Sequence, residues 1–383
     1  MSRQARDDVR SAGNDARSAG SGARSIGSGD APNVQDDATT QLADGVDHQV
    51  AMVLDLNQCI GCQTCSLACK TLWTEGKGQE YMYWNNVETK PGEGYPRGWE
   101  KSGGGWQSDQ HNERRPGEIP AKEDYGTPWE YNHEEIFYEG SDEPLRPDSG
   151  APEWGPNWEE DQGSGEYPNS YYFYLPRLCN HCTHPSCVEA CPRSALYKRA
   201  EDGIVLVDQQ RCRGYRYCVE GCPYKKVYYN AIKKKSEKCI FCYPRIEGNG
   251  PDGEVRPTAC ASECPPQLRY VGFLDDRNGP IYKLVERYEV ALQLHPEYQT
   301  EPNVFYVPPF APPQHDTEGE TLEVDRIPRE YLRELFGDAV DDALDTLKRE
   351  REKVERGGAS ELMDILTTAN NDDQYRLEVF DDA

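Results

Sequence analysis

Apolar residues in the middle of the chain come in short runs that turn residues separate. The run from Ile204 to Val207 follows the Asp202-Gly203 pair, which is typical of a tight turn. Residues 204–207 are therefore predicted to form a strand, and a short helical stretch is predicted before the turn. Short strands mixed with short helices indicate an α+β fold class.

The residues after Pro328 follow a helical period. One amphipathic helix is predicted from the apolar positions Tyr331, Leu332, Leu335, Phe336, Val340, Leu344 and Leu347. Gly357-Gly358 ends this helix, and a second short helix is predicted around residues 362–366. Residues 276–383 are thus predicted to be a partly helical C-terminal extension that packs on the core or on a partner.

Two regions lack such periodicity. Residues 1–47 contain no aromatic residue and too little apolar content to bury a helical seam, so a disordered tail is predicted. Residues 76–170 are predicted to be a long irregular insertion, and all seven tryptophans lie between Trp73 and Trp158. Because Trp and Tyr dominate interface hot spots, these aromatic residues either dock a partner or pin the insertion onto its own core.

The chain carries 68 acidic and 42 basic residues, which gives a net charge of −26. Such a surface repels nucleic acid and anionic lipid, so no nucleic-acid partner is expected. Pervasive acidity with few lysines favours a halophilic protein over an ordinary acidic one, because high salt screens the self-repulsion. No apolar run approaches the roughly 20 residues of a membrane helix. No transmembrane segment, Sec signal or twin-arginine signal is predicted.

All 15 cysteines fall into four blocks with the spacing of iron–sulfur ligands. The blocks are Cys59, Cys62, Cys65, Cys69; Cys179, Cys182, Cys187, Cys191; Cys212, Cys218, Cys222; and Cys239, Cys242, Cys260, Cys264. Disulfides fit this odd number of closely spaced thiols poorly. A non-redox zinc-binding scaffold is the alternative of another class. Zinc ribbons, however, use two pairs of cysteines instead of runs of four.

In two-cluster bacterial ferredoxins the last cysteine of each run binds the other cluster. The second and third blocks follow this layout, which predicts an inner ferredoxin-like unit at residues 171–224. Its [4Fe-4S] cluster would be bound by Cys179, Cys182, Cys187 and Cys222. Its other cluster would be bound by Cys191, Cys212 and Cys218.

The first and fourth blocks pair by the same rule. One [4Fe-4S] cluster would be bound by Cys59, Cys62, Cys65 and Cys264, and another by Cys69, Cys239, Cys242 and Cys260. Residues 48–75 and 225–275 are then the two halves of an outer ferredoxin-like unit, with the inner unit nested inside it. Four clusters in two related units predict an electron-transfer protein without catalytic residues of its own.

Tyr215 stands where the third block would carry its fourth cysteine. A phenol is a poor ligand for iron compared with a thiolate. The preferred interpretation is a [3Fe-4S] cluster whose vacant corner Tyr215 fills without being a ligand. The alternatives are a cluster completed by water or by the phenol oxygen, and loss of the cluster, which three retained thiolates disfavour.

Two further groups of polar residues lie within or beside the cysteine blocks. A basic island is predicted to be solvated surface that also offsets the negative charge of nearby clusters; it consists of Lys225, Lys226, Lys233, Lys234, Lys235 and Lys238. His181 and His184 are predicted to pack or to hydrogen-bond to sulfur, since ligation by four thiolates leaves no vacancy for them.

The cysteine blocks and their flanks resemble the iron–sulfur β subunits of type II molybdenum oxidoreductases in the dimethyl sulfoxide reductase family. The matching stretches are DLNQCIGCQTCSLACKTLW, CNHCTHPSCVEACPRSAL, CRGYRYCVEGCPYKKVYYN, KCIFCYPRI and HPEYQTEPNVFYVPP. They cover roughly half of the chain, and the cysteine frame is specific to a few families.

The resemblance implies a catalytic α subunit that holds molybdenum bis(guanine dinucleotide). This chain would carry electrons between that subunit and a haem b or quinol-oxidising subunit associated with the membrane. Nitrate is the expected substrate of the complex, and the β subunit of an ethylbenzene or dimethyl sulfide dehydrogenase or of a selenate or chlorate reductase is the alternative. We expect the complex on the outer face of the cytoplasmic membrane, with this chain exported as a passenger on the α subunit; the cytoplasmic face is the alternative.

Overall fold

The computed structural model describes residues 42–103, 119–125, 132, 135–136, 138–144, 162–249, 253–367 and 374–377. These residues belong to one compact unit. Most of the tail predicted at residues 1–47, and much of the insertion predicted at residues 76–170, lie outside the described residues. Within these ranges, no helix combines the length and the apolar character needed to cross a membrane.

Short strands and mostly short helices make up the described part of the chain. The strands are β1 Val50–Asp55, β2 Asn86–Lys90, β3 Phe173–Arg177, β4 Leu196–Lys198, β5 Val205–Val207, β6 Val227–Asn230, β7 Lys235–Lys238, β8 Arg269–Phe273, β9 Leu292–Gln293, β10 Val304–Val307, β11 Pro313–His315, β12 Thr321–Asp325 and β13 Tyr375–Arg376. The α-helices are α1 Thr64–Trp73, α2 Ser186–Glu189, α3 Tyr217–Gly221, α4 Tyr243–Ile246, α5 Ala259–Ser262, α6 Pro280–Tyr282, α7 Arg329–Phe336, α8 Val340–Glu355 and α9 Glu361–Thr367.

Strand β1 is the centre of a five-stranded mixed sheet with the order β13-β8-β1-β10-β9. Met52 of β1 lies opposite Val271 of the antiparallel β8 and opposite Val304 of the parallel β10. The sequence VAMVLD is apolar on both sides of the pleat, and every residue of the strand is buried. A strand with two apolar faces must be covered on both, and the sheet is accordingly packed on both faces.

The two faces of this sheet pack against different parts of the chain. Val50 and Met52 belong to the larger core, which also includes many of the cysteines. Ala51 and Val53 belong to a second core, which they share with Leu347 of α8 and with the apolar residues of α9. The cysteine region therefore lies on one face of the sheet, and α9 with part of α8 lies on the other.

The strand predicted at residues 204–207 is confirmed as β5, which forms a hairpin with β4. The helical stretch predicted before the Asp202-Gly203 turn is wrong, since β4 occupies that position. Leu196 of β4 and Val205 of β5 are both buried. Pairing and burial in the tertiary structure override the local preference here.

The amphipathic helix that was predicted after Pro328, with its end at Gly357-Gly358, is two helices, α7 and α8. The chain leaves α7 at Gly337, whose φ of +76° is a conformation that glycine adopts without strain. Helix α8 ends at Glu355, close to the predicted stop, and α9 covers the predicted short helix.

The beginning of the insertion is more regular than predicted, because β2 pairs with β3, which follows the insertion. Glu88 of β2 forms a buried ion pair with Arg177 of β3, with 2.6 Å between Oε1 and Nη1. The guanidinium of Arg177 also stacks on Trp99, 3.3 Å from its ring centre. These contacts pin the insertion onto its own core. Four tryptophans lie outside the described residues: Trp106, Trp129, Trp154 and Trp158.

Candidate iron–sulfur sites

Site 1 consists of Cys59, Cys62, Cys65 and Cys264, which line one small cavity. Cys65 belongs to α1, and Cys264 follows α5. Cys62 is exposed to solvent, whereas Cys65 and Cys264 are buried. The structure thus brings together cysteines nearly 200 residues apart as the crossing rule of ferredoxins predicts, at a place close to the protein surface.

Site 2 consists of Cys69, Cys239, Cys242 and Cys260, which line a second small cavity. All four cysteines are buried. The indole Nε1–H of Trp73 donates a hydrogen bond to Cys242 Sγ at 3.1 Å, and the backbone N–H of Phe241 donates to Cys239 Sγ at 3.4 Å. Hydrogen bonds of this kind favour the thiolate over the thiol.

Site 3 consists of Cys179, Cys182, Cys187 and Cys222. Burial raises the pKa of the Cys187 thiol, and the other three cysteines raise it further. Burial, followed by the charge of Cys179, raises the pKa of Cys182 to about 12. Because the charge of Cys179 also acts on Cys182, Cys187 and Cys222, the four sulfurs lie close together.

Site 4 consists of Cys191, Cys212 and Cys218, which line a small cavity together with Tyr215. The backbone N–H of Ala195 donates to Cys191 Sγ at 3.3 Å, and that of Ser236 donates to Cys212 Sγ at 3.4 Å. Tyr215 is 57% exposed, so its ring borders both the cavity and the solvent. Site 4 therefore also reaches the surface.

The four sites follow one another in numerical order. Helix α1 carries cysteines of both site 1 and site 2, and α5 with the residues after it does the same. Helices α2 and α3, with the residues that follow them, join sites 3 and 4 in the same way. Cys239 of site 2 lies close enough to Cys179 of site 3 for that charge, after burial, to raise the pKa of Cys239.

The chemistry of these residues fits iron–sulfur clusters. Burial raises the pKa of the Cys59 thiol to about 12, so the cysteine is protonated at neutral pH unless iron stabilises the thiolate. Sets of four and three soft sulfur donors suit cluster iron. In the described part of the chain, no three His, Cys, Asp or Glu side chains converge as the ligands of a single metal ion would. The sulfurs of sites 1, 2 and 4 surround cavities instead.

The basic island is only partly solvated, contrary to the prediction. Lys225, Lys226 and Lys238 are buried, whereas Lys233 and Lys234 are exposed. Burial and the nearby Arg177 lower the pKa of Lys226 to about 7, although Glu88 opposes this change. The ammonium group of Lys238 donates hydrogen bonds to the carbonyl oxygens of Val205 and Cys239. The buried members of the island thus lie among the cysteine sites.

The two histidines have different environments. His181 is buried, and its Nδ1 accepts a hydrogen bond from the backbone N–H of Val205 at 3.0 Å. Its ring packs edge-on against Phe241, which links the loops of sites 3 and 2. His184 lies on the surface, 3.4 Å from Glu301.

Two residues at these sites were not predicted from the sequence. Arg269, which lines the site 1 cavity, is buried, and an arginine in a strand carries no mark of burial in the sequence. Trp73 could have been suspected, because it lies four positions after Cys69 on the same helix, but its bond to Cys242 depends on the distant fourth block.

Comparisons with known proteins agree with this arrangement. A family model described as a 4Fe-4S dicluster domain matches residues 170–274. The respiratory nitrate reductase subunit beta of Haloferax mediterranei is 76% identical over 347 residues, which cover 91% of this chain and 98% of that protein. The dimethylsulfide dehydrogenase subunit beta of Rhodovulum sulfidophilum is 59% identical over 332 residues, covering 87% and 99%. The respiratory nitrate reductase 2 beta chain of Escherichia coli is 38% identical over 395 residues, covering 75% and 76%.

The fold and the cysteine sites define an iron–sulfur protein with a ferredoxin-like dicluster domain among small sheets and short helices. The chain belongs to the family of electron-transferring iron–sulfur β subunits of dimethyl sulfoxide reductase-type oxidoreductases. The resemblance stated from the cysteine blocks is confirmed.

Proposed function

We propose that this chain carries electrons through a [4Fe-4S] cluster at each of sites 1, 2 and 3 and a [3Fe-4S] cluster at site 4. The observation that supports this proposal is the linear order of the sites. Sites 1 and 2 take cysteines from the same helix, and sites 3 and 4 do so from the same helix and the residues after it. Sites 2 and 3 adjoin because Cys239 lies close to Cys179. Both end sites reach the surface, through Cys62 and Tyr215. Two nested ferredoxin-like units account for this order: an inner unit at residues 171–224, and an outer unit made of residues 48–75 and 225–275.

Iron–sulfur clusters, when bound, supply reversible one-electron oxidation and reduction. The cysteine thiolates would hold these clusters, and the surrounding residues set the conditions for electron transfer. At site 2, Trp73 and Phe241 donate hydrogen bonds to sulfur. Leu178 and Trp84 complete the wall of the same cavity and exclude water from it. Sites 2 and 3, in the middle of the series, are thereby shielded from solvent. Sites 1 and 4, at its ends, remain accessible to partner subunits.

For site 4 we propose that Tyr215 occupies the corner at which a fourth thiolate would bind. The proposal is supported by the shared cavity of Tyr215 with Cys191, Cys212 and Cys218. A three-iron cluster needs only three thiolates, so this set is complete without the phenol oxygen.

The proposed partners are a catalytic α subunit with molybdenum bis(guanine dinucleotide) and a membrane-associated subunit that contains haem b or oxidises quinol. Nitrate is the proposed substrate of the complex, because the relative with 76% identity is named as a respiratory nitrate reductase subunit. Dimethyl sulfide is the second candidate, because a relative with 59% identity is named as a dimethylsulfide dehydrogenase subunit. Purification of the complex and assay of both substrates decides between the two.

We further propose that the complex works on the outer face of the cytoplasmic membrane and that this chain is exported while bound to the α subunit. A surface with a net charge of −26 suits high external salt. Deletion of the export signal of the α subunit, followed by cell fractionation, tests the proposal. This chain should then remain in the cytoplasm; its continued arrival at the outer face would contradict carriage by the α subunit.

The cluster content is tested by iron and acid-labile sulfide analysis together with electron paramagnetic resonance of the purified complex. After subtraction of the iron that belongs to the partner subunits, about fifteen irons per chain are expected from the ligand count. An oxidised three-iron signal near g = 2 is expected as well. Zinc without iron would overturn the electron-transfer function, and a full complement of four-iron clusters would overturn the three-iron assignment.

A further inference from the structure

Arg269 is a buried cation beside sites 1 and 2. It is the first residue of β8, where it lies opposite Leu54 of β1, and its side chain lines the site 1 cavity. Its exposed fraction is 0%. The strand register thus holds a guanidinium group inside the cysteine region.

The hydrogen bonds of Arg269 leave part of this group unpaired. Nη2 donates to Asn85 Oδ1 at 3.1 Å, and Nη1 lies 3.7 Å from Met52 Sδ. Nε is buried and has no hydrogen-bond partner among the described residues. Asn85 itself lines the site 2 cavity, so the guanidinium group is held between the two sites.

The charges that act on Arg269 come from cysteines of both sites. Burial lowers the pKa of Arg269, but Cys65, Cys260, Cys264 and Cys59 raise it more. None of the carboxylates in the described ranges forms an ion pair with this residue. Arg177, the other deeply buried arginine, differs because it is neutralised by Glu88.

A buried cation without a counter-charge is strongly destabilising. A neutral thiol cannot supply that charge. Thiolates that ligate a cluster do supply it, because the ligated cluster carries a net negative charge. The charge of Arg269 is therefore balanced when a cluster is bound at site 1.

We propose that Arg269 donates its free Nε–H to a sulfur at site 1 and raises the reduction potential of the site 1 cluster, and to a smaller extent that of the site 2 cluster. Three of the four thiolates that act on it belong to site 1, and Cys260 belongs to site 2. A fixed positive charge and a hydrogen bond to sulfur both favour the more negative, reduced state. Asn85 is the positioning residue of this arrangement. The inference rests on the proposed function, because it needs clusters at these sites.

The test is a redox titration of Arg269→Met in the intact complex, followed by electron paramagnetic resonance. At a fixed ambient potential, the ratio of reduced to oxidised site 1 cluster should fall about tenfold, which corresponds to about 59 mV for a one-electron couple. The ratio at site 2 should fall less, and those at sites 3 and 4 should stay as they are. Arg269→Lys keeps the charge and should fall between the two. The matched control is Arg213→Met, which removes an exposed arginine from the wall of site 4 and should leave sites 1 and 2 unchanged.

A measurement on the unaltered complex keeps the inference testable if Arg269→Met does not fold. Labelling with ¹⁵N-arginine should produce a weak nitrogen coupling in the pulsed resonance spectrum of the reduced site 1 cluster. The absence of this coupling, or an unchanged site 1 potential in a variant with full iron content, would overturn the role of Arg269 alone. The absence of iron–sulfur signals from this chain in the unaltered complex would overturn the proposed function itself.

Discussion

At the scale of single residues, the sites differ in which groups donate hydrogen bonds to the cysteine sulfurs. At site 4 the donors to Cys191 and Cys212 are backbone amides, which no substitution other than proline removes. At site 2 the donor to Cys242 is the side chain of Trp73, at 3.1 Å. Because hydrogen bonds to sulfur help to set cluster potentials, Trp73 offers a direct way to change one potential at a time.

Trp73→Phe should lower the potential of the site 2 cluster. Phenylalanine retains most of the ring volume but lacks the N–H group, so only the bond to Cys242 is lost. A loss of about 1 kcal/mol corresponds to a roughly fivefold lower ratio of reduced to oxidised cluster at fixed potential. Redox titration measures the change, and sites 3 and 4 in the same protein serve as controls. An unchanged site 2 potential with full iron content would contradict the role of this bond.

Tyr215→Cys should convert the three-iron cluster of site 4 into a four-iron cluster. The new thiolate would supply the fourth ligand and lower the potential, because thiolate stabilises the oxidised state. The measurement is the oxidised signal near g = 2, which should disappear, together with one additional iron per chain. Tyr215→Phe is the matched control and should keep the signal. If the cysteine variant keeps the signal at its original size and midpoint, Tyr215 does not fill the vacant corner.

Cysteine groups could be predicted from the sequence because cluster ligation imposes a spacing that is visible in the chain. The four predicted groups also lie together in the structure. The environment of each group could not be predicted, because burial of a charged side chain depends on the tertiary fold. Arg269 and Lys238 are both buried, whereas Lys234 is exposed. Nothing in the sequence around these residues marks this difference.

At the scale of elements, the central sheet separates two hydrophobic cores. One face of β1 belongs to the core that contains the cysteines, and the other packs with α9 and the middle of α8. No strand was predicted at residues 50–55, although their apolar run is typical of a buried strand, and the sequence did not show which segment covers each face. The break between α7 and α8 was missed for a similar reason, since the apolar period continues across Gly337 while the backbone turns.

Leu362→Ala should destabilise the protein without changing the clusters. Leu362 is fully buried in the core on the face of the sheet opposite the cysteines. Removal of a buried leucine side chain costs about 2–5 kcal/mol. Thermal unfolding measures this loss, while iron content and the four potentials should stay unchanged. Lys348→Ala, at an exposed position on α8, is the control and should be nearly neutral. A shift in any cluster potential would show that the sheet does not separate the two cores.

At the scale of the whole molecule, the acidic surface should make stability depend on salt. The net charge of −26 creates self-repulsion, which is screened over about 30 Å at 0.01 M salt and about 3 Å at 1 M. We expect the unfolding temperature to rise steadily with potassium chloride concentration, with the steepest rise at low salt. Circular dichroism and the visible absorption of the clusters should report the same transition. Tetramethylammonium chloride at equal ionic strength should act almost as well if screening is the cause. Stabilisation by potassium alone would indicate specific cation binding, and no dependence on salt would contradict the halophilic interpretation.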